Sequence, residues 1–118
     1  MLIDSKRVYA AGISEDGMLA YRLACQTTIF AAIGLDSATL LGSCPSPPAI
    51  SVIHIHGIAD QRIPYNGGPG AGVNHIDGPA IRALNARWRS VDRCAAPSIT
   101  TAGVVTTSVA TCPKDPRR

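Results

Sequence analysis

"RVYAAGISEDGMLAYRLAC", residues 7–25, decides how the rest of the chain is read. Residues 7–11, RVYAA, suit a short buried strand. From Glu15 to Cys25, the apolar Met18, Leu19, Tyr21, Leu23 and Ala24 suit a helix packed on one side. Ser14 lies between them, and two readings of it stand. As a helix cap it accepts a backbone N–H, while Glu15 and Asp16 meet the positive end of the helix dipole. As a nucleophile it sits on a sharp strand-to-helix turn, which needs small residues two before and two after, because a Cβ at either place collides with neighbouring backbone. Gly12 meets the first requirement; Asp16 stands at the second, with Gly17 one residue late. Taken alone, the stretch favours the cap.

Outward from it, "TIFAAIG" (28–34) is a continuous apolar run of the kind found in an inner parallel strand. "GSCPSPPA" (42–49) is a surface loop, since its prolines remove donors and fix φ. "ISVIHIHG" (50–57) is the strongest strand pattern in the chain. "NGGPGAG" (66–72) reads as a flexible loop. "GPAIRALNARWRSVDRC" (78–94) reads as a helix with Pro79 in its first turn and Ile81, Leu84, Trp88 and Val91 as its buried stripe. "SITTAGVVTTSVATC" (98–112) predicts a hairpin turning near Gly103, and "PKDPRR" (113–118) a disordered tail. The fold class is therefore α/β: a domain over 1–112 built as a piece of a parallel sheet with flanking helices, both edges unfinished.

The chain has 118 residues, of which 46% are hydrophobic, which bounds it to one globular domain with a moderate core. A whole large α/β enzyme with helices on both sheet faces needs about 200 residues or more. The net charge of +3 is dispersed. Only Arg82, Arg87, Arg89 and Arg93 gather, and they read as a solvated helix face. Nucleic-acid binding would need basic residues interleaved with stacking aromatics, a pattern this sequence lacks. No stretch has the length of a membrane span, and "MLIDSKRVYA" holds no apolar core of signal-peptide length. Cys25, Cys44, Cys94 and Cys112 form no C-x-x-C pair that would suggest zinc. Their even count fits two disulfides, most simply Cys25–Cys44 and Cys94–Cys112, and an oxidising compartment; four buried free thiols are the alternative.

Asp60 follows the strongest strand, at the carboxyl edge where open α/β sheets place their active groups. Ser14 followed by Asp60 fits the nucleophile, acid, histidine order of a Ser–Asp–His hydrolase, in which the acid holds the histidine's tautomer. Asp60 as a plain turn residue is the competing reading. His54 and His56 alternate on one strand and face the same side of the sheet. With Asp60 or His75 they could ligate a metal. Otherwise His56 packs beneath the active edge and His54 is a satisfied interior histidine.

Taken together, "KRVYAAGISEDGMLAYRLAC", "IFAAI", "CPSPPAISVIHIHGIADQRIPYNGG", the Trp88 helix ending at Cys94 and "TTSVATCP" resemble secreted α/β-hydrolases of the polyhydroxybutyrate depolymerase/feruloyl esterase type, closest in look to lipoprotein esterases of the LpqC type. The resemblance runs through nearly the whole chain. It implies that Ser14 is the nucleophile, Asp60 the triad acid and the Glu15 backbone N–H an oxyanion donor. It also implies an ester substrate, no metal or organic cofactor, and a place outside the cell or in its envelope. The sequence departs from the family at Glu15-Asp16, where Asn-Gly is usual, so Asp16 is expected to crowd the elbow. The strands and second oxyanion loop that come before, and the catalytic histidine that comes after, are missing from it. His75, the only histidine downstream of Asp60, sits in a glycine-rich loop and matches no family motif. The expectation is thus a partial α/β-hydrolase fold, truncated at both ends and inactive or nearly so. With "TIFAAIG" and "ISVIHIHG" left unpaired, it is also expected to self-associate. A non-catalytic remnant or a mis-started reading frame is the alternative, and a metal-dependent hydrolase using His54, His56 and Asp60 is a third.

Overall fold

The three apolar runs become one parallel sheet in the computed structural model, which describes residues 2–113. Strands β1 (Tyr9–Ile13), β2 (Ala32–Asp36) and β3 (Ser51–Ile55) lie side by side in that order, and helix α1 (Glu15–Gln26) carries the chain from β1 to β2. The register pairs Ile13 with Asp36 and Asp36 with Ile55, so the three carboxyl ends are level. That alignment puts everything just beyond Ile13, Asp36 and Ile55 on one edge of the sheet.

Small residues set the distance between α1 and the sheet. Its buried stripe is Gly17, Ala20, Tyr21 and Ala24, spaced by three and four. This differs from the stripe predicted from the sequence: Leu19 is 57% exposed, and Met18 and Leu23 are half-buried. A Cβ at Gly17 would lie 2.6 Å from the Ala38 Cβ, so only a glycine allows the approach there. The core these residues share also contains Ile33, Leu35, Leu40, Ile50, Leu84 and Trp88.

The opposite face of the sheet is uncovered by the described residues. Tyr9, Ile13, Ile53 and Ile55 point there, each 59–63% exposed. "TIFAAIG" is not an open edge as the sequence suggested: its strand begins at Ala32, is central, and is paired on both sides. The outer strands are β1 and β3.

The proline-rich loop has no ladder of its own, so side chains meet its carbonyls. Arg22 donates to Leu41 O and Ser43 O, Arg87 donates to Cys44 O, and a Cys25–Cys44 disulfide ties the loop to α1. Arg87 is therefore more than part of a solvated face, and so is Arg82, which lies over the Tyr65 ring at 5.7 Å.

The glycine-rich segment holds a two-residue strand β4 (Gly68–Pro69), paired antiparallel with β5 (Asp77–Gly78), where the sequence read only a flexible loop. Helix α2 (Ile81–Val91) then starts two residues after Pro79, because Ile81 N donates to Tyr65 O and Ala80 takes the capping place. Ile81, Leu84 and Trp88 are buried as expected, with Val91 half-buried. Asp92 Oδ1 accepts from Ile50 N at 2.9 Å, joining the end of α2 to the start of β3. Strands β6 (Ser98–Ala102) and β7 (Val105–Val109) form the expected hairpin; every residue of both is exposed, and a Cys94–Cys112 disulfide closes its base. No described helix is long and apolar enough to cross a membrane. Apart from Pro113, the expected disordered tail lies outside the described residues.

Candidate active site

Ser14 is the single residue through which the β1 ladder becomes a helix. Its N–H donates to Asp36 O at 2.9 Å, as a continuing strand residue would, and its carbonyl accepts from Met18 N at 2.9 Å, opening α1. Between these bonds its backbone takes φ 56° and ψ −120°. A residue with a Cβ is strained in that region, and such strain is held in place only by its surroundings. The Ser14 hydroxyl makes no cap hydrogen bond.

The surroundings are two glycines. A Cβ at Gly12 would come 2.5 Å from Asp16 C and 2.7 Å from Gly17 N, and one at Gly17 would come 2.9 Å from Gly12 O. Strand and helix therefore touch backbone to backbone. The tight contacts at the turn involve the backbone of Asp16. Its side chain is exposed, and the second obligatory glycine is Gly17, three residues after the serine. Glu15 opens the helix, so its backbone N–H is among the first-turn amides that no helical carbonyl meets.

Asp60 lies on the same edge, beyond β3. Its Oδ1 accepts from Arg62 N at 2.9 Å and Ile63 N at 3.0 Å, folding the loop around the carboxylate. Its Oδ2 lies 3.5 Å from His56 Nε2. Between Ser14 and Asp60 stands the end of β2, where Ser37 also has positive φ, 51°, and donates its N–H to Ile55 O.

Behind Asp60 runs a line of polar rings. Tyr21 Oη is 2.5 Å from His54 Nδ1, His54 Nε2 is 3.0 Å from His56 Nδ1, and His56 Nε2 is 2.7 Å from Ile63 O. Burial pulls His54 down to about 4, the neighbouring His56 adds to this, and Asp36 opposes it. Burial also pushes the Tyr21 hydroxyl well above its ordinary range, so it remains a donor. The sequence placed both histidines on one face but missed Tyr21, 33 residues from His54. Its signal was an aromatic hydroxyl on the inward side of a helix that follows β1.

This arrangement contradicts the metal alternative at His54, His56 and Asp60. Every ring nitrogen of the two histidines already meets Tyr21, the other histidine or Ile63 O, leaving no converging lone pairs. The one close His/Cys/Asp/Glu grouping among the described residues is Asp92 with Cys94 and Cys112, whose sulfurs are bonded to each other. His56 is equally unsuited as a base for Ser14, since its side chain is 2% exposed and both its nitrogens are engaged. His75 turns within its own loop, with Nδ1 3.3 Å from Gly70 O. A cleft of about 320 Å³, lined by Leu40, Asp77, Pro79, Leu84 and Arg87 among others, includes neither Ser14 nor Asp60 in its wall.

No protein-family model matches the chain, and no solved structure matches it. Two curated proteins do. The chain is 41% identical over 73 residues to "Putative esterase NocK" of Nocardia uniformis subsp. tsuyamanensis, a match covering 55% of this chain and 20% of that protein. It is 29% identical over 87 residues to "Probable feruloyl esterase C" of Aspergillus clavatus, covering 72% of this chain and 32% of that protein. The molecule is thus a small α/β domain with a three-stranded parallel sheet and two helices. It is distantly related to esterases, and it spans at most a third of the length of the relatives it matches.

Proposed function

We propose that this chain is the nucleophile-and-acid part of a serine carboxylic-ester hydrolase of the polyhydroxybutyrate depolymerase/feruloyl esterase type. The observation that carries the reading is the Ser14 backbone, strained at φ 56° on a one-residue turn with its hydroxyl not spent on capping α1. The esterase relatives and the place of Asp60 on the same sheet edge support it.

In this reading the Ser14 Oγ attacks an ester carbonyl as a histidine takes its proton. The Glu15 N–H meets the oxyanion, and the histidine returns the proton to the departing alcohol. Water then repeats the sequence on the acyl-serine and releases the acid. Asp60 Oδ2 orients the histidine, since Oδ1 is already held by the loop. None of His54, His56 and His75 is placed for that role, so the base comes from outside the described residues. The 118-residue chain alone is then expected to be about 10⁴-fold or more below a complete triad. The two disulfides support a location outside the cell or in its envelope.

The test is labelling by a fluorophosphonate, together with hydrolysis of p-nitrophenyl acetate, on the chain extended in its own reading frame. One adduct on Ser14, lost with the activity in Ser14→Ala, is expected. Labelling of another serine, or unchanged turnover in Ser14→Ala, overturns the assignment. Neither labelling nor turnover favours the non-catalytic remnant.

A further inference from the structure

The line of rings behind Asp60 has a direction. A carbonyl can only accept, so the nitrogen facing Ile63 O at 2.7 Å, His56 Nε2, carries a proton. The same N–H also faces Asp60 Oδ2, 3.5 Å away. In the neutral ring a proton on Nε2 leaves His56 Nδ1 as the acceptor for His54 Nε2–H at 3.0 Å. His54 Nδ1 is then the acceptor for the Tyr21 hydroxyl at 2.5 Å. One tautomer at each ring satisfies the whole line.

We propose that His56 is a positioning residue for the Asp60 loop, with its tautomer set from Tyr21 through His54. This rests on the reading of Asp60 as the triad acid. His56 fixes the loop at Ile63, the residue whose own N–H holds Asp60 Oδ1. The groups around the line agree with this. His54 meets Tyr21 from α1 and His56 from its own strand, and the Asp36 carboxylate on β2 acts on it through its charge. His56 faces His54, Asp60 and the Tyr65 ring, which Arg82 also overlies.

The experiment is long-range ¹H–¹⁵N correlation of the histidine rings in the ¹⁵N-labelled chain at pH 7, which reads tautomers without any need for activity. Both His54 and His56 are expected as Nε2–H forms. Tyr21→Phe, which keeps the ring and removes only the donor, is expected to shift the His56 nitrogens although Tyr21 bonds His54 and not His56. His56→Leu should raise amide exchange at Arg62 and Ile63 about tenfold or more. His56→Gln, whose amide can still donate to Ile63 O, should stay within about threefold of the native rate. An Nδ1–H or doubly protonated His56, His56 signals unmoved by Tyr21→Phe, or equal exchange in the Leu and Gln variants would overturn the proposal. If Tyr21→Phe does not fold, the native tautomer pattern decides. Failure here with Ser14 still labelled leaves the esterase reading standing, and loss of Ser14 labelling with the tautomers intact removes that reading alone.

Discussion

At the end of β1 the chain turns through Ser14 with no side-chain cap hydrogen bond, while at the end of β3 it turns around Asp60, whose Oδ1 accepts two backbone N–H groups. The two turns share a sheet edge but are held by different forces. Steric contact between Gly12 and the Asp16–Gly17 backbone leaves Ser14 its unusual φ. Polar bonds from Asp60 and His56 shape the other loop, with space around its glycine. The first should respond to an added methyl, and the second should tolerate one.

The largest effect should come from placing one methyl at each turn. A Cβ at Gly12 meets backbone at 2.5 Å, and backbone cannot rotate away as a flexible side chain would. Gly12→Ala should cost on the order of 3 kcal/mol, read as a lower urea midpoint. At Gly57, in the approach to Asp60, nothing lies within 4 Å of the added Cβ. Gly57→Ala should stay within about 0.5 kcal/mol of the native protein. Similar losses at both sites would break the contrast.

Protons come next. The folded value of His54, about 4, is below its ordinary 6.5, so the unfolded chain binds the proton more readily. Stability from the neutral ring is therefore complete above pH 6.5, falls as the pH drops toward 4, and levels off below that. The ring is only partly buried, so solvent screening discounts the effect to about 1–2 kcal/mol. Carboxylates titrate in the same range, and the quantity to measure is the difference between native protein and His54→Gln in urea midpoints at pH 7 and 4.5. An identical pH dependence in the two would remove His54 as its source.

How much of this was legible in the sequence follows from the same contrast. The order of strands and helices could be read from apolar runs, because each run is bounded by glycine, proline or polar residues. The close packing of α1 could not, since Gly17, Ala20 and Ala24 carry little hydrophobic signal and act by being small. Leu19 carries much signal and is exposed. Alternation along β3 placed His54 and His56 on one face, but their partners Tyr21 and Ile63 come from elsewhere in the chain, and local pattern does not show such contacts. At the elbow the spacing was read against a rule for the second residue after the serine, and the close contact here falls on the third.

The smallest effect tests that last point. If Asp16 crowded the turn, Asp16→Gly would relieve strain and raise stability. The structure gives the opposite sign. The Asp16 side chain is exposed, and the tight contacts run from Gly12 to the backbone of Asp16 and Gly17, which the substitution leaves in place. What it removes is an acidic group in the first turn of α1, worth about 0.3–1 kcal/mol against the helix dipole, and what it adds is the backbone freedom of a glycine inside a helix. Asp16→Gly should therefore lower the urea midpoint by the equivalent of about 0.5–1 kcal/mol. Asp16→Ala should lose less, because alanine keeps the helix and forfeits only the charge. A gain in stability for the glycine variant, with none for alanine, would show that a Cβ at position 16 is what strains Ser14. The steric half of the comparison would then rest on the wrong residue.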